Sequence, residues 1–280
     1  MINTKNLDFH ETFKPEKKYL SSLLTDLEQC SGHTMQEISQ IAGIPTGKNS
    51  GKVVPTIYYL NYMGLINKSL SNKVFELTYT ELGECVLNEE PGLIEPLTLL
   101  LLHCMLVRKN GGAPLWSYIV TTVIPRYHGK IDRGNLEKEL ELAFNKKVTL
   151  SPFIGTYSDL CSTLRLININ DKELVMHPHL YNPEFIYLYG YILYEYWDEW
   201  YEEQIAANRG NVSKLEISAD QLKETGFQNP FGWDEQGEYK VLEALHDKHI
   251  IELNRQMMPF TLRRLFTKGE LIESLYSELC

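Results

Sequence analysis

One cadence of helices closed by a short hairpin recurs three times along this chain. No other feature restricts the fold as much. In the first copy, Tyr19, Leu20, Leu23, Leu24 and Leu27 follow helical spacing, which predicts a helix from about Pro15 to Glu28. Thr34-Met35-Gln36-Glu37 reads as a capping box opening a second, short helix that carries Ile38, Ile41 and Ala42 and stops at Gly43. After the turn "GIPTGKNSG", a third helix runs through Ile57, Tyr58, Leu60, Asn61 and Met63, with Pro55 in its first turn. "GLINKSLSNKVFELT" then supplies an apolar pair, a polar tip and an alternating strand at Val74, Glu76 and Thr78. Three helices closed by a hairpin make a winged helix-turn-helix, a motif in which the third helix enters the major groove and the wing meets the backbone.

The pattern returns near residue 160. There "YSDLCSTLRLININDKELVMH" reads as helix, strand Leu166 to Ile169, a tight turn at Asn170-Asp171, and strand Glu173 to His177. It returns again at "EYKVLEALHDKHIIELNRQMMPFTLRR". Helices over Ala219 to Thr225 and Glu238 to His246 precede Ile250 to Leu253, which pairs with Phe260 to Leu262. A module recurring at irregular spacing predicts a set of units and not a solenoid. The expected fold is mainly α with small β-hairpins: several winged helix-turn-helix units around a helical middle. The expected domains are 1–92, an N-terminal winged helix; 93–207, a helical middle with a degenerate unit and an acidic Tyr-rich helix; and 208–280, a C-terminal winged-helix-like domain. Between Glu184 and Glu203 aromatics crowd beside six acids and no base, so this stretch reads as a packed helix with acids on its wet side.

A net charge of −10 opposes nucleic-acid binding as a global property. The charge is uneven, however. Residues 1–80 hold eight lysines against seven acids, and local patches are what bind DNA. Leu97 to Val107 ("LTLLLLHCMLV") is too short to span a bilayer and reads as a buried helix, so no membrane partner is expected. The five scattered cysteines show no C-x-x-C spacing, which argues against zinc or iron–sulfur sites. With no secretory pattern at the N-terminus, they fit reduced thiols in the cytoplasm.

"GIPTGKNSGKVVPT" resembles a phosphate loop but lacks the nucleotide-binding spacing. Three residues separate Gly43 from Gly47, and Asn49 follows Lys48 where a hydroxyl is needed for Mg²⁺. The phosphate is then that of double-stranded DNA. Lys48, Asn49, Ser50, Lys52 and Thr56 flank the start of the expected recognition helix, and Lys68 and Lys73 lie on its wing. Arg255, Arg263 and Arg264 form a second candidate patch in the last unit. The competing reading is a solvated turn and surface charge on modules that contact proteins.

"DFHETF" (Asp8 to Phe13) ahead of the first helix, "GKN" (Gly47 to Asn49) opening a helix with "IYYL", and the closing "VLEALHDKHIIEL" together resemble a bacterial family. It is the SspB-type family, the DNA nickase subunit of a phosphorothioation defence system. The resemblance implies an anti-phage DNA-modification role, in which a backbone oxygen is replaced by sulfur. The protein would nick or hold duplex DNA beside protein partners of a sulfur-modification complex. His10 and Glu11 are the catalytic candidates it singles out, since an imidazole beside a carboxylate can act as general base or bind a divalent metal. The alternative for both is local hydrogen bonding while Phe9 and Phe13 pack under the first helix. No cofactor is evident from the residues, and Mg²⁺ or Mn²⁺ is expected if the chain is a nickase. No Ser/His/Asp set or D-x-D cluster is readable in the chain, which favours the alternative of a non-enzymatic winged-helix DNA-binding regulator or scaffold.

Overall fold

The computed structural model describes residues 6–47, 50–209, 212–256 and 259–279. The chain divides after His177 into two compact units. The described residues are mainly helical, with three small antiparallel sheets of three strands each.

In the first copy the predicted first helix breaks at Asp26 into α1 (Lys17–Thr25) and α2 (Leu27–Cys30). A two-residue strand β1 (His33–Thr34) leads into α3 (Met35–Ile41), then α4 (Val53–Tyr62), β2 (Ile66–Ser71) and β3 (Val74–Tyr79). β1 pairs with β3, giving the order β1-β3-β2. Thr34 ends that strand and also caps α3, its hydroxyl accepting from the Glu37 N–H while the Glu37 carboxylate accepts from the Thr34 N–H at 2.8 Å. The hairpin tip turns through Asn72 and Lys73, both at positive φ, as a two-residue hairpin loop requires. α5 (Glu81–Glu89) and α6 (Pro96–Leu106) follow, and every residue of α6 from Leu97 to Leu106 is buried. A helix apolar on all sides belongs in a core, as expected for this segment.

The second copy begins much earlier than the sequence indicates. α7 (Pro114–Tyr118), a π turn at Ile119–Val123 and α8 (Ile124–Arg126) form its first helix. β4 (Lys130–Asp132) and α9 (Arg133–Phe144) come next. The third helix starts as α10 (Ser151–Gly155), passes through a π turn at Thr156–Leu160, and closes in a 3₁₀ turn at Ser162–Leu164. β5 (Ile167–Ile169) and β6 (Glu173–Met176) complete the sheet in the order β4-β6-β5. Asp132 ends β4 and caps α9, accepting from the N–H groups of Gly134 and Asn135.

The second unit holds the third copy: α11 (Ile186–Ala206), β7 (Glu216–Ser218), α12 (Ala219–Thr225), α13 (Glu235–Asp247), β8 (Ile251–Asn254), β9 (Thr261–Arg264) and α14 (Lys268–Glu273). The strand order β7-β9-β8 repeats that of the other two sheets. Ser218 ends β7 and caps α12. The Tyr-rich segment is the first helix of this copy, with Tyr189, Tyr191, Tyr194, Tyr196, Trp197 and Trp200 buried. Its acids are less wet than the sequence suggests. Asp198 pairs with Arg264 at 2.7 Å, and Glu195 and Asp198 both reach Lys268 at 3.0 Å.

Candidate nucleic-acid interface

The segment carrying "DFHETF" is a folded loop and not a free arm. Its backbone closes through Phe9 N–H to Asn6 O, Glu11 N–H to Asp8 O and Phe13 N–H to His10 O, with Asn6, Glu11 and Thr12 at positive φ. Phe9 lies against α4, its ring centroid 4.9 Å from those of Tyr59 and Tyr62 and stacked on Tyr58 at 5.8 Å. Tyr59 donates its hydroxyl to Phe13 O at 2.9 Å. With this loop in place Val54, Tyr58, Asn61 and Tyr62 of α4 are half-buried and the rest of the helix is buried. The helix expected to enter the major groove is partly covered by the residues that precede α1.

His10 and Glu11 are parted by this turn. His10 is 3% exposed, edge-on to Trp116, and its Nδ1 accepts from the Thr12 N–H at 3.1 Å. Burial lowers its pKa, against a raising influence from Asp8 and with a smaller lowering one from Lys146. The accepting Nδ1 leaves the proton on Nε2, which is buried without a partner. Glu11 is exposed. The two side chains do not converge, and the Asp8 carboxylate is taken up by the Lys146 ammonium.

In the turn before α4, Lys48 and Asn49 lie outside the described residues. The flanking residues close a narrow loop: Thr46 bridges Gly51, the Gly47 N–H donates to Ser50 O, and the Lys52 N–H donates to Pro45 O. A Cβ at Gly51 would collide with Thr46, so the close approach requires glycine. Ser50 is exposed at this turn. Lys52 is already engaged, its Nζ 2.6 Å from Glu16 and 5.0 Å from the Tyr19 ring centroid. Thr56 points inward; it is 6% exposed and its hydroxyl donates to Lys52 O. On the hairpin, the Lys68 Nζ sits 3.7 Å above the Tyr58 ring, and Lys73 is exposed at the tip.

The arginines of the third copy separate into different roles. Arg264 is structural: its side chain is 10% exposed, paired with Asp198 and laid over the rings of Tyr194 and Trp197. Arg255 is neutralised by Glu243 at 2.8 Å. Arg263 is exposed but stands in register with Glu216 on one side and Glu252 on the other. Among the described residues the thiols are poor nucleophiles: burial pushes Cys30 and Cys85 up to about 11, Cys161 to about 12, and Cys104 up as well.

No family model matches the sequence, and no curated protein matches it. Among solved structures the chain is similar to a magnesium-bound SspB crystal structure, with a TM-score of 0.68 and 16% identity over 96% of this chain and 86% of that one. A second SspB crystal structure gives a TM-score of 0.65 and 17% identity over the same shares. The fold is that of SspB. Magnesium in one of these SspB structures invites a fit test on this chain. Among the described residues, no three His, Cys, Asp or Glu side chains gather where they could hold a metal ion. With Asp8 occupied by Lys146 and His10 buried, the candidate residues do not form a ligand set. Among the described residues, no helix is long and apolar enough to cross a membrane.

Proposed function

We propose that this chain is a duplex-DNA-binding component of a phosphorothioate-modification system. The observation that carries this reading is the SspB fold across 96% of the chain. The three repeats add support when read as winged-helix units, because a first strand paired outside a hairpin, followed by two helices, is the frame of that motif. In the first copy the DNA contacts come from the turn and the hairpin, through Ser50, Lys68 and Lys73, since the accessible side of α4 is only half-exposed and Phe9 packs on its tyrosines. Such contacts are to phosphates and carry little sequence information. Protein partners in the same system supply the sulfur chemistry.

A second reading, that the chain holds DNA without cutting it, is favoured by the geometry at His10 and Glu11. A buried imidazole and an outward carboxylate are not placed to activate one water between them. Gel shifts of linear duplex over a salt series, run beside supercoiled plasmid with Mg²⁺ or Mn²⁺, test both readings. A shift that weakens steeply with salt is expected, and its absence at about 50 mM salt contradicts DNA binding. Persistence of supercoiled plasmid supports holding, whereas relaxation lost in Glu11→Ala restores the nickase.

A further inference from the structure

Beside the third helix of the second copy lies a cavity of about 350 Å³, lined among others by Ser158, Ser162, Arg165, Asn168 and His177. The π turn at Thr156–Leu160 places Tyr157 and Ser158 against it. Such turns widen a helix locally and recur at binding sites. Arg165 takes a left-handed conformation, φ 52°, where the 3₁₀ turn gives way to β5. The His177 N–H donates to Leu166 O at 2.7 Å, which fixes the end of the hairpin beside Arg165. Tyr157 closes the inner side, buried, with its hydroxyl 3.0 Å from His103 Nδ1.

Three features give this cleft a chemical preference. Arg165, Asn168 and His177 are exposed, and among the described residues their side chains have no hydrogen-bond or ion-pair partner. The cationic candidates Lys52, Arg255 and Arg264, by contrast, each hold a carboxylate. Among the described residues no carboxylate lines the cleft, whereas two other cavities include Asp234, or Asp247 and Glu278. The one acid on the adjoining π turn, Asp159, is paired with Lys14 at 2.7 Å. An unpaired guanidinium fork beside hydroxyl, amide and imidazole groups matches the donors an oxyanion needs.

We propose that this cleft is a phosphate site, and that the phosphate it receives is a phosphodiester of the DNA backbone. The second clause rests on the DNA-binding reading above; the first does not. The second copy thus supplies a contact that the partly covered α4 of the first copy does not offer.

The full chain is compared as wild type, Arg165→Gln and Arg165→Lys, reading duplex binding by fluorescence anisotropy across a salt series. Arg165→Gln is expected to weaken binding about tenfold and to lower the salt slope by about one, with Arg165→Lys recovering part of both. Thermal unfolding should match wild type in both variants, because Arg165 holds nothing in place. Unchanged binding in both Arg165→Gln and Arg165→Gln/Asn168→Ala overturns the cleft and leaves the DNA-binding reading standing. If wild type binds no duplex, the DNA-binding reading falls, and inorganic phosphate becomes the probe. Amide and imidazole NMR shifts at Arg165 and His177 that vanish in Arg165→Gln then keep the phosphate site as one for a free phosphate. No shifts at either residue overturn it.

Discussion

The third helix of the first copy and that of the second occupy the same place in the same strand order, yet they present opposite surfaces. α4 has only half-buried positions at Val54, Tyr58, Asn61 and Tyr62, with Phe9 packed on the Tyr58–Tyr59–Tyr62 side. The helix from Ser151 to Leu164 exposes Ser151, Ser158, Asp159, Ser162 and Thr163 and ends on the unpaired Arg165. The third copy differs again, with Glu235, Gln236, Lys240 and Asp247 exposed on α13. Topology fixes where a helix lies in the unit. What it can touch is decided by the loop in front of it and by which charges are already neutralised.

The largest expected effect removes this partial cover. Phe9→Ala removes a ring packed on three tyrosines and Trp116, and should cost about 3 kcal/mol or more in urea unfolding. A loss below about 1 kcal/mol would mean that the loop does not cover α4. Arg264→Ala leaves Asp198 without its guanidinium in a mostly buried pair, and a loss of roughly 3 kcal/mol is expected with no change in duplex affinity. An affinity change at constant stability would return Arg264 to the interface.

The third copy adds a pH dependence to the comparison. Burial holds the Glu238 carboxyl near 7, above its ordinary 4.5, with Oε1 buried and unpartnered. Between these values the folded chain keeps a proton that the unfolded chain has lost, so stability falls as pH rises from about 4.5 to about 7 and stays reduced above it. Glu238→Gln should therefore gain on the order of 2 kcal/mol at pH 8 and almost nothing at pH 4. His179 on the same unit, driven down to about 4 by burial, acts with the opposite sign: its contribution is lost as pH falls below 6.5. Urea unfolding at the two pH values separates them, and an equal gain at both would exclude the carboxyl as the cause. The smallest effect is at the first hairpin. Lys73→Ala should leave stability within about 0.5 kcal/mol while weakening duplex binding a few-fold at low salt, as gel shifts would report.

Much of the first copy is legible in sequence because each signal there is local. The Thr34–Glu37 capping box and the mostly apolar α6 depend on neighbours a few residues away, whereas the polar stretch 67–73, read as the hairpin tip, is strand as far as Ser71 and turns only at Asn72 and Lys73. The short strands β1, β4 and β7 escape notice because two or three residues carry no period, and only pairing across the sheet defines them. The partial cover on α4 is hidden for a related reason. It requires three non-glycine residues at positive φ and a ring brought across some fifty residues, and neither leaves a pattern. Arg165 was equally silent, a single residue between helix and strand outside any motif. Arg264 is different. Leu262 is buried on the same strand face, so strand alternation separates Arg264, inward, from Arg263, outward, although the sequence reading places both in one candidate patch.

Amide hydrogen exchange of the full chain, with and without saturating duplex, tests whether DNA is met at the second copy's cleft and not at α4 of the first. Slowed exchange over residues 158–169 and unchanged exchange over 53–62 are expected. Protection confined to 53–62, with 158–169 unaltered, would contradict it.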